Sequence, residues 1–216
     1  MSNPLNHIAI IDYGMGNLHS VSKALQHVGE NIKISITVDP TVINSADRVV
    51  FPGVGAIGDC MSEILRLDIG NILKNCIHHK PLLAICIGMQ ALLEHSEESG
   101  GVDCLKIVPG KVRQFDRHNT GPLGDKIKVP HMGWNAVEQC ADHPLWNGIE
   151  QYSRFYFVHS YYVTGVSNDL VKFETSYGIP FVSGIFSGKC VATQFHPEKS
   201  QSKGLQLYRN FLEKIV

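Results

Sequence analysis

Pro81-Leu82-Leu83-Ala84-Ile85-Cys86-Ile87-Gly88-Met89-Gln90 is an apolar run, a thiol, a glycine and the opening of a helix. Pro81–Ile85 is uninterrupted in its hydrophobicity, the form a strand takes when both faces of its sheet are covered. Met89–His95 continues at helical spacing, so Cys86 sits on a sharp strand-to-helix turn, the cysteine counterpart of a nucleophile elbow. There the sulfur stands clear of the sheet, and the positive end of the following helix favours thiolate over thiol. That bias matters, because a free thiol with a pKa of about 8.5 is only a few per cent ionised at pH 7. Alone, Cys86 reads as well as a small apolar filler at a strand end.

Upstream, strand-sized runs alternate with helical ones. Ile8–Ile11 reads as a buried strand, and Leu18, Val21, Leu25 and Val28 as one helix face stopped at Gly29. Lys33–Val38 and Asp47–Phe51 are further strands, and Met61, Ile64, Leu65, Ile72, Leu73 and Cys76 give the face of a single long helix. Such alternation implies a parallel sheet covered on both sides. Downstream, from about Cys104, the runs shorten and look antiparallel: Leu105–Val108, Lys111–Phe115, Phe155–Val163, Leu170–Phe173, Phe181–Ile185 and Cys190–Phe195. Leu205, Tyr208, Leu212 and Ile215 define a closing helix, and Asp116–Gly124 reads as a polar surface loop. With no repeat or linker, residues 1–216 are expected to form one domain.

Composition removes several function classes. Hydrophobic residues make up 44% and charged ones 18%, enough for a core and too little charge for a disordered chain. With 19 Lys+Arg against 20 Asp+Glu, the net charge of −1 argues against a nucleic-acid partner. No apolar run approaches the roughly 18–20 residues of a membrane span, and Met1–Asn6 lacks a basic leader, so a cytoplasmic protein away from membranes is expected. The cysteines at 60, 76, 86, 104, 140 and 190 are scattered without a C-x-x-C pair, which disfavours disulfides and thiolate metal sites.

Two further segments bear on Cys86. In Thr193-Gln194-Phe195-His196-Pro197-Glu198, Pro197 holds His196 in an extended conformation, and residues two apart on extended backbone project to one side. His196 and Glu198 can thus be neighbours, with the carboxylate fixing the imidazole tautomer and freeing the other ring nitrogen to take a proton from a thiol. A surface turn, or a metal site formed with His159, are the competing readings; the ligand spacing for a metal is missing, and none is expected. In Phe51-Pro52-Gly53-Val54-Gly55, two glycines after a strand free backbone N–H groups, as an oxyanion hole requires, with the Ile87 amide as the natural second donor. Asp12-Tyr13-Gly14-Met15-Gly16 invites a dinucleotide reading, but His19 stands where the third glycine belongs, so no cofactor is expected.

Taken together, C-x-G-x-Q after a strand, H-P-E before the last helix and P-G-x-G upstream resemble the class I, triad-type glutamine amidotransferases over essentially the whole chain. Asp12–Leu18 and Pro130-His131-Met132-Gly133-Trp134-Asn135 look most like the glutaminase subunits of imidazole glycerol phosphate synthases, in the histidine pathway. Ala84 departs from the glycine that many relatives carry two residues before the nucleophile, and is small enough to keep the elbow. The resemblance implies an α/β, flavodoxin-like fold: a mixed, mainly parallel sheet flanked by helices, with a smaller antiparallel sheet.

By that resemblance Cys86 is the nucleophile, His196 the general base and acid, and Glu198 the orienting carboxylate. Backbone at Ile87, Gly53 and Val54 would form the oxyanion hole, and Gly55, Gln90, His159, Ser160 and Tyr161 would lie along L-glutamine. The implied partner is a (β/α)8-barrel cyclase subunit in a 1:1 heterodimer, met through Pro130, Met132, Trp134 and Lys199, although Trp134 reads as readily as a buried core indole. Rival readings are a glutaminase feeding another acceptor such as a sugar-amidating pathway, a cysteine peptidase or amidase of the same fold, and a catalytically dead binding subunit.

Overall fold

A computed structural model describes residues 6–116, 118, 120 and 126–215. The N-terminal half follows the expected alternation. Strands β1 (Asn6–Ile11), β2 (Ile32–Thr37), β3 (Arg48–Gly53) and β4 (Leu82–Cys86) are parallel in the order β2-β1-β3-β4, with helices α1 (Leu18–Val28), α2 (Pro40–Ser45), α3 (Ile57–Arg66) and α4 (Ile69–His79) between them. The single long helix expected over residues 61–76 is two, because Asp68 adopts a left-handed φ of +53° and turns the chain between α3 and α4. The apolar spacing runs through the break because both helices bury the same kind of face.

Beyond β4 the helix α5 (Ile87–Ala91) is only five residues long, shorter than the expected Met89–His95, and Leu105–Val108 is not a strand. One set of hydrogen bonds explains both corrections. The N–H groups of Leu105, Lys106, Ile107 and Val108 donate to the carbonyls of Ala91, Leu93 and Leu92. These are the acceptors a longer helix would have used, and the donors a strand would have offered. The chain then forms β5 (His95–Ser96), β6 (Val102–Asp103) and β7 (Lys111–Gln114). Most of the expected loop Asp116–Gly124 lies outside the described residues.

The C-terminal half supplies β8 (His131–Ala136), β9 (Glu138–Gln139), β10 (Arg154–His159), β11 (Tyr161–Thr164), β12 (Val171–Tyr177), β13 (Ile179–Ser187) and β14 (Cys190–Thr193), and then helix α6 (Gln201–Glu213). Strand β14 lies parallel against β4, with Val191 opposite Leu83 and Thr193 opposite Ile85, while its other edge pairs antiparallel with β13. The large sheet then runs on through β11, β7, β5 and β6, and β8 and β10 make a separate antiparallel pair. The expected single strand Phe155–Val163 is β10 and β11, broken at Ser160, where the chain passes from the small sheet to the large one. The fold is thus a mixed sheet, parallel through its helix-covered half, with a small antiparallel sheet beside it.

Leu82, Leu83, Ala84 and Ile85 are essentially solvent-free. Burying each of the larger three contributes about 1.5–3 kcal/mol, which makes β4 a rigid support for the residue at its end. Ligands of open α/β sheets bind outside the carboxyl ends of the parallel strands. At those ends here stand Gly53 as the last residue of β3, Cys86 as the last of β4, and Gln194 to His196 after β14.

Candidate active site

Cys86 closes β4 with φ +56° and ψ −108°. A non-glycine residue held there costs on the order of 1–3 kcal/mol and persists only where its surroundings impose it. Two glycines provide that imposition. Gly53 pairs with Cys86 across β3 and β4, and a Cβ on it would lie 2.5 Å from the Tyr13 hydroxyl. A Cβ on Gly88 would lie 2.1 Å from the Phe51 carbonyl oxygen, so only glycine lets α5 descend this closely onto β3. The C-x-G spacing is therefore a packing requirement, and it leaves the sulfur at the mouth of the turn with the residue only 4% exposed.

His196 reaches the same place from the far end of the chain. Its backbone is extended (φ −102°, ψ 97°), as the following proline demands. Glu198 is not on an extended segment, however: Pro197–Lys199 is a 3-10 turn, and that turn carries the carboxylate back to the ring. His196 Nδ1 and Glu198 Oε1 are 2.8 Å apart, with both side chains all but solvent-free. The turn is tied down by Ser200, whose Oγ donates to the His196 carbonyl (2.6 Å) and accepts from the Tyr156 N–H (3.0 Å), while the His196 N–H donates to the Tyr156 carbonyl (2.9 Å).

Burial by itself pushes the His196 imidazole down. The nearby Cys86, and then Glu198, overcome that penalty and hold the ring well above the usual histidine range. The physical content is an imidazole whose proton is favoured by the groups on both of its sides. His196 Nε2 has no hydrogen-bond partner among the described residues by distance and angle, so its proton faces the cavity that Cys86 also lines.

That cavity is about 450 Å³ and is bounded in part by Val54, Gly55, Ile87, Gln90 and the Val158–Tyr161 stretch. A volume of this order suits a small-molecule site. Its rim includes Pro130 and Lys199, both exposed, with the Lys199 ammonium 5.8 Å from the centre of the Tyr156 ring. Met132 and Trp134 stand on β8 at 61% and 36% exposure, so the buried alternative for Trp134 is not realised; the deeply buried indole is Trp146. The Val54 carbonyl accepts from Cys60 Sγ (3.6 Å), which ties the Gly53–Gly55 loop to α3.

Behind the cavity lies a chain of neutral groups. His159 Nδ1 is 2.7 Å from the Tyr161 carbonyl, which can only accept, so this nitrogen carries the proton. His159 Nε2 must then accept from His131 Nδ1 (2.9 Å), and His131 Nε2 from Asn135 Nδ2 (3.2 Å). Burial lowers both rings, His131 to about 4 and His159 to about 3. His159 is thus a neutral hydrogen-bonded residue, with no proton to give near neutral pH. Among the described residues no cluster of three or more His, Cys, Asp or Glu side chains could hold a metal ion, and no helix is long and apolar enough to cross a membrane.

Several residues at the site carried no role in the sequence reading. Glu98 and Asn17 line the cavity, Glu98 also accepting the Ile57 N–H (3.0 Å). Gln194 Nε2 lies 3.6 Å from Cys86 Sγ, and Ser200 braces the histidine turn. Gln194 had no signal in local periodicity, for it lies in the bend that follows β14 rather than on a strand.

The comparisons with known proteins agree with this geometry. Residues 9–215 match the family described as glutamine amidotransferase class-I. A Pseudomonas putida protein named imidazole glycerol phosphate synthase subunit HisH is 54% identical over 205 residues, covering 95% of this chain and 96% of its own length. A protein of the same name from Nitrosococcus oceani is 52% identical over 208 residues, covering 96% of this chain and 97% of that one. Among solved structures, that of PurLQS from Thermotoga maritima superposes with a TM-score of 0.72 at 15% identity, covering 96% of this chain and 98% of that one, a likeness of fold alone.

Proposed function

This chain belongs to the class-I glutamine amidotransferases, and from that premise we propose that it is a glutaminase subunit of imidazole glycerol phosphate synthase, working through Cys86, His196 and Glu198. The observation that carries the proposal is the meeting of a strained elbow cysteine and a carboxylate-paired imidazole at one 450 Å³ cavity.

The thiolate of Cys86 attacks the side-chain carbonyl carbon of L-glutamine, and the electron pair of the C=O bond moves to oxygen. The Ile87 N–H and a donor from the Gly53–Val54–Gly55 loop stabilise that oxyanion; losing one such donor typically costs about 10²–10³ in rate. The imidazolium of His196 gives its proton to the departing nitrogen and ammonia leaves. The neutral ring then takes a proton from water, whose oxygen attacks the thioester, and glutamate departs as the thiolate reforms. Glu198 holds the ring in the tautomer that presents Nε2 throughout. Gln90 Oε1 is buried without a partner among the described residues, an acceptor well suited to an amino group of the substrate. Gly55, His159, Ser160 and Tyr161 complete the pocket, His159 by structure and hydrogen bonding.

Ammonia set free in neutral water becomes ammonium and loses its nucleophilicity, so it is best handed over without meeting solvent. The rim formed by Pro130 and Lys199, beside the exposed Met132 and Trp134, is the surface we assign to a (β/α)8-barrel cyclase subunit in a 1:1 heterodimer. Residues 1–216 act as one amidotransferase domain in this reading, in the cytoplasm. The decisive experiment is reconstitution with such a cyclase, following transfer of label from glutamine carrying amide ¹⁵N. We expect label in the cyclase product and none with Cys86→Ala. Glutamate release without incorporation by any histidine-pathway cyclase would overturn the assignment of the acceptor.

A further inference from the structure

We infer that Gln194 is a catalytic residue whose side-chain amide donates a hydrogen bond to Cys86 Sγ and holds the sulfur in its anionic, attacking form. The inference rests on the glutaminase reading and adds to it a residue outside the triad. Gln194 is fully buried in the segment that leads from β14 to His196, its main chain fixed by a bond from its N–H to the Ser183 carbonyl (2.9 Å). Its side chain has one neighbour on each side: Nε2 lies 3.6 Å from Cys86 Sγ, and Oε1 lies 2.9 Å from Gln90 Nε2.

An amide's oxygen and nitrogen ends are interchangeable in shape, so the direction of this contact must come from the network around it. The network is anchored at the Tyr161 carbonyl, which has no proton to offer. Gln90 places an end 3.2 Å from that carbonyl, so this end is the NH₂ group. The same NH₂ faces Gln194, whose facing atom must therefore be oxygen. The remaining end of Gln194 is then a donor, and it points at sulfur. A main-chain carbonyl thus dictates, through two side-chain amides, that Cys86 accepts. Flipping Gln194 would set its NH₂ against that of Gln90 and bury two uncompensated donors.

A donor aimed at sulfur stabilises the thiolate and has little to offer a thiol, whose lone pairs are weak acceptors. It also fixes where the sulfur sits, while His196 approaches from the turn after Phe195. The ionisable groups sharing this environment are His196 and Glu198 on that turn, Tyr13 and Cys60 from the β1 and α3 side, and Glu98, His159, Tyr161 and Lys199 at the cavity wall. Of these, Tyr13 is pushed far up by burial and stays neutral, and Cys60 is raised to about 11. His196 and Lys199 favour negative charge on the sulfur through charge, and Gln194 is the side-chain amide in direct hydrogen-bond contact with it.

The test uses the full chain without glutamine and the neutral alkylating agent iodoacetamide, with Cys86 read separately from the other cysteines by peptide mass. Gln194→Met keeps length and burial, offers Gln90 a weak acceptor and gives sulfur no donor; Gln194→Asn withdraws the amide by one methylene. In both, the rate at pH 6 relative to pH 9 is expected to fall roughly 10-fold or more, as loss of a hydrogen bond to a charged group implies. The value of kcat should fall by about 10–100-fold with KM within about threefold. An unchanged pH 6 to pH 9 ratio in either folded variant overturns the role of Gln194. If Cys86 of the unaltered protein reacts no faster at pH 6 than the other cysteines, the glutaminase reading itself falls, and the two failures are thereby distinguished.

Discussion

His196 and His159 line the same cavity, are both almost completely buried, and are driven in opposite directions. Burial penalises the charged form of each. At His159 little opposes it: one backbone carbonyl favours the proton, while His131 and His196 repel it, and the ring falls to about 3. At His196 the Cys86 sulfur and the Glu198 carboxylate lie in the same low-polarity surroundings that strengthen their pull, and the ring rises. The same residue type at the same depth becomes an acid in one place and a structural hydrogen-bonding group in the other. The partner chooses the role, and burial only amplifies the choice.

The largest expected effect tests the acid. His196→Asn should lower kcat for glutamine by about 10⁴-fold or more, as removal of a triad member does elsewhere, with the fold intact by circular dichroism. Less than a tenfold loss would erase the difference between the two histidines. Glu198→Gln keeps shape and hydrogen bonding but removes one anion; kcat should fall by about 10³-fold, and the ring should titrate lower by NMR.

Stability against pH sharpens the comparison from both sides. The folded protein holds the His196 proton more tightly than the unfolded chain, so its contribution is complete below the unfolded value of about 6.5 and is lost as pH rises above it. His131 and His159 are held neutral, so the unfolded chain binds the extra protons between about 3 or 4 and 6.5, and stability falls as pH drops through that window. Each such proton is worth about 1.4 kcal/mol per pH unit at full difference. Melting temperature against pH should show Glu198→Gln flattening the alkaline limb, and His131→Phe flattening the acid limb. Phenylalanine keeps the stacking of this ring against Phe157 and Tyr177, at 4.8 and 4.0 Å, but gives up the hydrogen bonds to His159 and Asn135, so the slope of the acid limb and not its height is the readout.

The smallest effect should come from Asn135→Ala, which removes the donor to His131 Nε2 and the bond to the Ser176 carbonyl. About 1 kcal/mol of stability and less than a threefold change in kcat are expected, measured by urea denaturation and by initial rates. A tenfold loss of activity would mean that the neutral chain reaches the chemistry, and the division between the two histidines would blur.

Much of this division was written in local sequence. The apolar run Leu82–Ile85 can be little but a buried strand, and Pro197 confines His196 wherever the fold puts it. What local pattern could not supply was who meets whom. Leu105–Val108 has strand composition, yet its N–H groups are spent on the end of α5, a contact no periodicity reports. Glu198 reached its ring by a 3-10 turn, not by the alternation that first suggested the pair. The sign of each histidine's shift was less legible, since it depends on burial and, at His196, on Cys86 brought up from a strand distant in sequence.

The pairing of β14 with β4 has a consequence during synthesis. Cys86 leaves the ribosome more than a hundred residues before His196, the base of the proposed mechanism. At roughly 5–20 residues per second, the growing chain carries an unassisted thiol for several seconds. No partly made polypeptide can consume glutamine, because the last strand to enter the parallel sheet is also the one that delivers the histidine.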